Sequence, residues 1–114
     1  MNRPKKLAVI WSSADKETAL FNIYMYTLNS RRMGWWEEVR LVIWGPSGKL
    51  LSNDPELQKG LSELMEEGVI VQACKACADK LGVSDNLTQM RVDVTYMGEK
   101  LTNFLKEGWA VLTY

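Results

Sequence analysis

The sequence predicts an α/β protein, a three-layer α/β/α sandwich built on a five-stranded parallel sheet. Two observations carry that prediction. Short apolar runs rich in β-branched residues alternate along the chain with stretches whose apolar residues recur at helical spacing. Glycine also stands at the helix-to-strand junctions Glu67-Gly68-Val69 and Glu107-Gly108-Trp109, where a left-handed residue ends a helix before a buried strand. Strands joined through helices lie parallel, cross over right-handed and need helices on both faces. The 114 residues suit one domain, 1–114, with a core that needs neither disulfide nor metal.

The elements follow in order. Leu7-Ala8-Val9-Ile10-Trp11 is a fully buried first strand, and Ser12-Ser13-Ala14-Asp15 supplies cap-type residues after it. From about Lys16 to Met33, Leu20, Phe21, Tyr24, Met25 and Leu28 follow helical spacing, and Gly34 closes the helix. Val39 to Trp44 is the second strand, followed by a loop at Gly45-Pro46-Ser47-Gly48. Asp54 caps a helix with Pro55 in its first turn and an apolar stripe of Leu57, Leu61, Leu64 and Met65. Val69-Ile70-Val71 is the third strand, running through Ala73-Cys74 into a short helix that stops at Gly82. Ser84 to Met90 reads as a helical turn or an irregular connection. Val92 to Tyr96 is the fourth strand, Glu99 to Glu107 a helix, and Trp109 to Leu112 the last strand.

Composition excludes several functions. The 14 basic and 14 acidic residues balance to a net charge of zero, which lacks the basic excess of a nucleic-acid binder. No apolar run approaches the ~20 residues of a membrane span. The basic opening Met-Asn-Arg-Pro-Lys-Lys leads straight into a strand rather than a signal-peptide core, so a cytoplasmic protein is expected. The absence of histidine removes Ser-His-Asp and Cys-His pairs, histidine acid–base catalysis and most zinc sites. With two cysteines in all, thiol chemistry is confined to Cys74 and Cys77.

In a parallel sheet, ligands and catalytic groups gather at the carboxyl ends of the strands. Cys74 stands at such an end, where a following helix and the adjacent Lys75 are expected to favour a thiolate. Cys77, one helical turn on, is placed to resolve a mixed disulfide or persulfide on Cys74. The alternative is that both are small buried apolar residues. Two cysteines supply half of a usual zinc site. A thioredoxin-like reading meets the wrong strand, and Pro4, Pro46 and Pro55 fall in a tail, a loop and a helix start. At the other strand ends, Trp11 and Ser12 with Trp44, Gly45, Ser47 and Lys49 form a candidate pocket for a small anion, flanked by Lys75. The same loop is equally a turn that needs glycine. The tryptophans are equally core plugs or interface residues, Trp35, Trp36 and Trp109 being the interface candidates.

The whole pattern resembles the DsrE/DsrF-like family of small sulfur-relay proteins, in particular its single-chain bacterial branch. The resemblance rests on Leu7 to Gly34, on Trp44-Gly45-Pro46-Ser47-x-Lys49-Leu50-Leu51, and on Gly68-Val69-x-Val71-x-Ala73-Cys74-x-x-Cys77-Ala78. Val94-x-Tyr96-Met97-Gly98 with Leu101-Thr102 completes it. It implies association into trimers or hexamers. It also implies that Cys74 accepts sulfur as a persulfide from a donor protein and passes it to an acceptor protein, with no organic cofactor and no metal. Cys77 has no counterpart among the family's general requirements. The rival expectation is a non-catalytic oligomeric module that binds a small ligand or a partner.

Overall fold

The computed structural model describes residues 5–114, so Met1 to Pro4 of the basic opening lie outside the described residues. Among the described residues there are five strands: β1 (Lys6–Trp11), β2 (Glu38–Ile43), β3 (Ile70–Cys74), β4 (Asp93–Thr95) and β5 (Ala110–Thr113). They form one sheet in the order β4-β3-β2-β1-β5, and every pairing is parallel, as the sequence predicts. The chain steps outward from β1 to β4, then crosses back to lay β5 on the far side of β1.

The two-residue period of a strand sorts side chains onto two unlike faces. Leu7, Val9 and Trp11 of β1 and Val39, Leu41 and Ile43 of β2 enter the larger core cluster. The first helical segment, Thr18–Tyr24 continuing into α1 (Met25–Arg32), covers that face together with α3 (Pro55–Glu66). The shorter α2 (Ser47–Ser52), α4 (Lys75–Leu81) and α5 (Ser84–Gln89) complete the cover through Leu51, Ala78 and Leu87. Ala8, Ile10, Val42 and Cys74 point the other way, into a smaller cluster closed by Met97 and Phe104 of the segment around α6 (Gly98–Lys106). The three layers are therefore one thick helical layer, the sheet, and a thin layer made mainly of α6.

The thin face is apolar only over part of its area. Toward the start of the strands, Arg40 Nε donates to Glu38 at 2.6 Å and Nη1 donates to Gln72 at 3.2 Å. Gln72 in turn donates to Asp93 at 3.2 Å. The guanidinium lies 5.7 Å from the Phe104 ring and 5.3 Å from that of Trp109. A polar strip with aromatic lids thus takes the place of the continuous apolar cover expected of a doubly buried strand.

Two local structures differ from the sequence reading. The segment predicted as loop, Gly45 to Gly48, turns directly into α2 from Ser47; glycine and proline there mask a short helix. The predicted first helix exists, but Thr18–Tyr24 is π-helical. Asp15 starts it by accepting from the Thr18 amide and hydroxyl, both at 2.8 Å. The wider π turn moves the buried stripe to Ala19, Ile23, Tyr24, Thr27 and Ser30 and leaves Phe21 and Met25 exposed. Small residues on that stripe bring the helix close to the sheet. Other elements form where expected: Asp54 accepts from the Glu56 and Leu57 amides to cap α3, and Gly68 and Gly108 hold φ of +99° and +79°.

Tyr24 joins the first helical segment to α3. Its hydroxyl donates to the Leu57 carbonyl at 2.9 Å, and its ring meets Trp11 edge-on at 5.4 Å. The ring sits over Gly60, where an added Cβ would lie 2.8 Å from two of its carbons. Gly60→Ala is expected to destabilise by roughly 1–3 kcal/mol despite alanine's better helix propensity, because the buried ring must move. Denaturant unfolding measures this, and Tyr24→Leu in the same chain should reduce the loss. Thr27 Oγ1 is buried without a hydrogen-bond partner. Thr27→Val should therefore raise stability by about 1 kcal/mol, read from the urea midpoint at constant m-value.

Candidate functional site

β3 delivers Cys74 to the carboxyl edge of the sheet on the thin face. Cys74 pairs in register with Thr95 of β4, and Ala73 pairs with Ile43 of β2. Cys74 is also the N-cap of α4: its backbone is extended (φ −66°, ψ 112°), and its Sγ accepts the Cys77 amide N–H at 3.4 Å. Sulfur here does what a serine hydroxyl does at other helix starts. Cys77 is half-buried and packs against the same cluster, together with Trp44 and Leu101.

The Cys74 side chain is deeper than its position at a strand end implies. The residue is 7% exposed and belongs to the apolar cluster that also holds Ile10, Val42, Met97 and Phe104. Burial pushes its thiol above the usual range, and the neighbouring Cys77 thiol pushes the same way against the backbone N–H groups of Cys77 and Ala76. The expectation of an ionised, accessible thiolate is corrected accordingly: the resting group is a protonated, largely covered thiol. Lys75 does not activate it. Its ammonium pairs with Asp79 at 2.9 Å and lies 5.8 Å from the Tyr96 ring centroid, and Asp79 also accepts from Ser84.

The other predicted site residues do not converge on one pocket. Trp11 is wholly buried in the larger cluster, with its indole N–H donated to the Ser13 carbonyl at 3.0 Å. Trp44 is half-buried on the opposite face, beside the cysteines. The physical reason is parity: Trp11 stands in register with Ile43, so Trp44, one residue on, takes the other side. Ser47 is fully buried, and its hydroxyl is spent on the Trp11 carbonyl at 2.5 Å and the Trp44 carbonyl at 3.1 Å. Ser12 donates to the Tyr114 carbonyl at 2.9 Å. Gly45, at φ +68°, makes the turn into α2, and Lys49 is exposed on that helix. These residues build the sheet edge rather than an anion cradle. Met97 and Phe104, which the sequence reading did not place in the site, complete the Cys74 cluster from the α6 side. Their only signal is the apolar spacing of that helix.

The DsrE/DsrF-like family model matches residues 5–114 of this chain. The chain belongs to that family. The fold agrees with solved DsrE-like structures. A conserved protein of unknown function from Bacteroides thetaiotaomicron, BT1422, is 35% identical over 96% of this chain and 95% of its own, with a TM-score of 0.93. The ychN protein from E. coli is 20% identical, covering 97% of this chain and 99% of that one at a TM-score of 0.73. A protein of unknown function from Methanobacterium thermoautotrophicum, MTH1491, is 24% identical, covering 96% and 98% at a TM-score of 0.72. None of the curated proteins matches. Among the described residues, no helix of this DsrE-like chain is long and apolar enough to cross a membrane.

The raised thiol pKa fixes the direction of a pH profile. Alkylation of Cys74 in the folded chain should be slower at pH 7 than in urea and should climb about tenfold per pH unit up to pH 9. A plateau below pH 8, followed by peptide mass mapping, would show an activated thiolate instead. Cys74→Ser should keep the α4 cap, whereas Cys74→Ala should lose about 1 kcal/mol in thermal or urea unfolding.

Proposed function

We propose that this DsrE-like chain handles sulfur in the cytoplasm, with Cys74 accepting it as a persulfide from a donor protein and carrying it to an acceptor protein. The observation that carries this reading is the placement of Cys74 at the carboxyl end of β3 with its sulfur ordered by the Cys77 amide. The family resemblance puts the sulfur-accepting cysteine at that position. In the loading step the Cys74 thiolate attacks the outer sulfur of a donor persulfide. The donor's sulfur–sulfur bond breaks, its thiolate leaves with the electron pair, and Cys74 keeps the terminal S–H. No organic cofactor or metal enters that balance.

Assembly into a homo-oligomer, a trimer or hexamer, belongs to the same proposal. Its support is the apolar surface left in the single chain: Phe21, Met25, Trp35, Tyr96 and Leu105 are each more than half exposed. Trp36 and Trp109 are half-buried and packed within the chain, which leaves Trp35 as the tryptophan free to anchor a neighbour. The second reading is a non-catalytic oligomeric binding module, favoured by the burial of Cys74.

Exposure to a cysteine desulfurase and cysteine separates the two readings. A gain of one sulfur atom in intact mass, present in wild type or Cys77→Ser and lost in Cys74→Ser, is the expected result. No gain in any variant supports the binding module. Sedimentation at micromolar concentration should give an assembly, and a clean monomer would remove the oligomer.

A further inference from the structure

The two thiols are placed to react with each other. Cys74 Sγ lies 3.4 Å from the Cys77 nitrogen, so it already sits over the backbone that carries the second thiol. Residues three apart at a helix start have Cβ atoms about 5–6 Å apart, and a disulfide needs roughly 3.5–4.5 Å. Cys74 is half outside the helix, with ψ at 112°, so closing that gap falls to rotation at this residue. Both cysteines belong to the apolar cluster of the thin face, which also holds Ile10, Val42, Met97 and Trp44. Cys77 is the more exposed of the pair.

We propose that Cys77 discharges a persulfide on Cys74 within the same chain, releasing hydrosulfide and leaving a Cys74–Cys77 disulfide. The inference rests on the persulfide reading and adds to it the product. The Cys77 thiolate, its proton given to water, attacks Cys74 Sγ. A new sulfur–sulfur bond forms there, and the bond from Cys74 Sγ to the terminal sulfur breaks. The terminal sulfur leaves as HS⁻ with the electron pair. The two cysteines are oxidised by two electrons and the departing sulfur is reduced by two, so no outside oxidant is needed. A low-molecular-weight thiol, two equivalents per chain, returns the disulfide to the dithiol.

The test uses reduced wild type, Cys77→Ser and Cys77→Ala, each loaded with a cysteine desulfurase and cysteine, then desalted and followed by intact mass and a sulfide probe. Both Cys77 variants should hold one extra sulfur. Wild type should lose it, release one hydrosulfide per chain, and end two hydrogens lighter than the reduced protein. Wild type that keeps its sulfur as long as the variants do, with no hydrosulfide, overturns this inference and leaves the acceptor reading standing. Variants that take up no sulfur, although folded by circular dichroism, overturn the acceptor reading and this inference with it.

Discussion

The carbonyl of Trp11 ties off the two central strands, and the rest of the structure depends on that knot. It accepts the Trp44 amide at 2.9 Å and the Ser47 hydroxyl at 2.5 Å, so both donors come from the turn that leaves β2. A buried carbonyl left without partners would cost free energy comparable to a lost hydrogen bond. The knot therefore holds β1 against β2 over the full register from Lys6–Glu38 to Trp11–Ile43. Since Ile43 pairs with Ala73, the same register sets Cys74 level with Trp44 and on its face.

That inheritance explains why the thiol sits in the thin layer. The thick face is filled by leucines of α3 and by Ala19, Ile23 and Tyr24 of the first helical segment. The thin face is divided. Its first half is polar, with Arg40 held between carboxylate, amide and two aromatic rings, and its second half is apolar around the cysteines. α6 spans both halves: its Phe104 serves as lid to Arg40 and belongs to the same apolar cluster as Cys74.

Much of this was legible in the sequence. The strands announced themselves by β-branched runs, and Asp54-Pro55 and Gly68 marked helix limits by chemistry that acts within a few residues. The carboxyl-edge position of Cys74 was equally legible, because it follows from strand order alone. Its burial was not, since Met97 and Phe104 join its cluster from a segment more than twenty residues further along the chain. Trp11 and Trp44 read as one wall because both end strands at the same edge; the register that parts them is a tertiary fact. The π turn left no composition signal at all. It shows only in which of two overlapping stripes, Leu20-Phe21-Met25 or Ala19-Ile23-Thr27, the sheet accepts.

β4 is the outer strand next to Cys74 and pairs over three residues, Asp93, Val94 and Thr95. Arg91, which precedes it, holds a φ of +66° that a non-glycine residue adopts at some cost. Sheets open from their least-held margin, and local opening draws on the stability of that margin rather than of the whole domain. The strand beside the buried sulfur is therefore the one held by the fewest pairs in the sheet, so the cover of Cys74 rests on the part of the fold with the least backbone pairing.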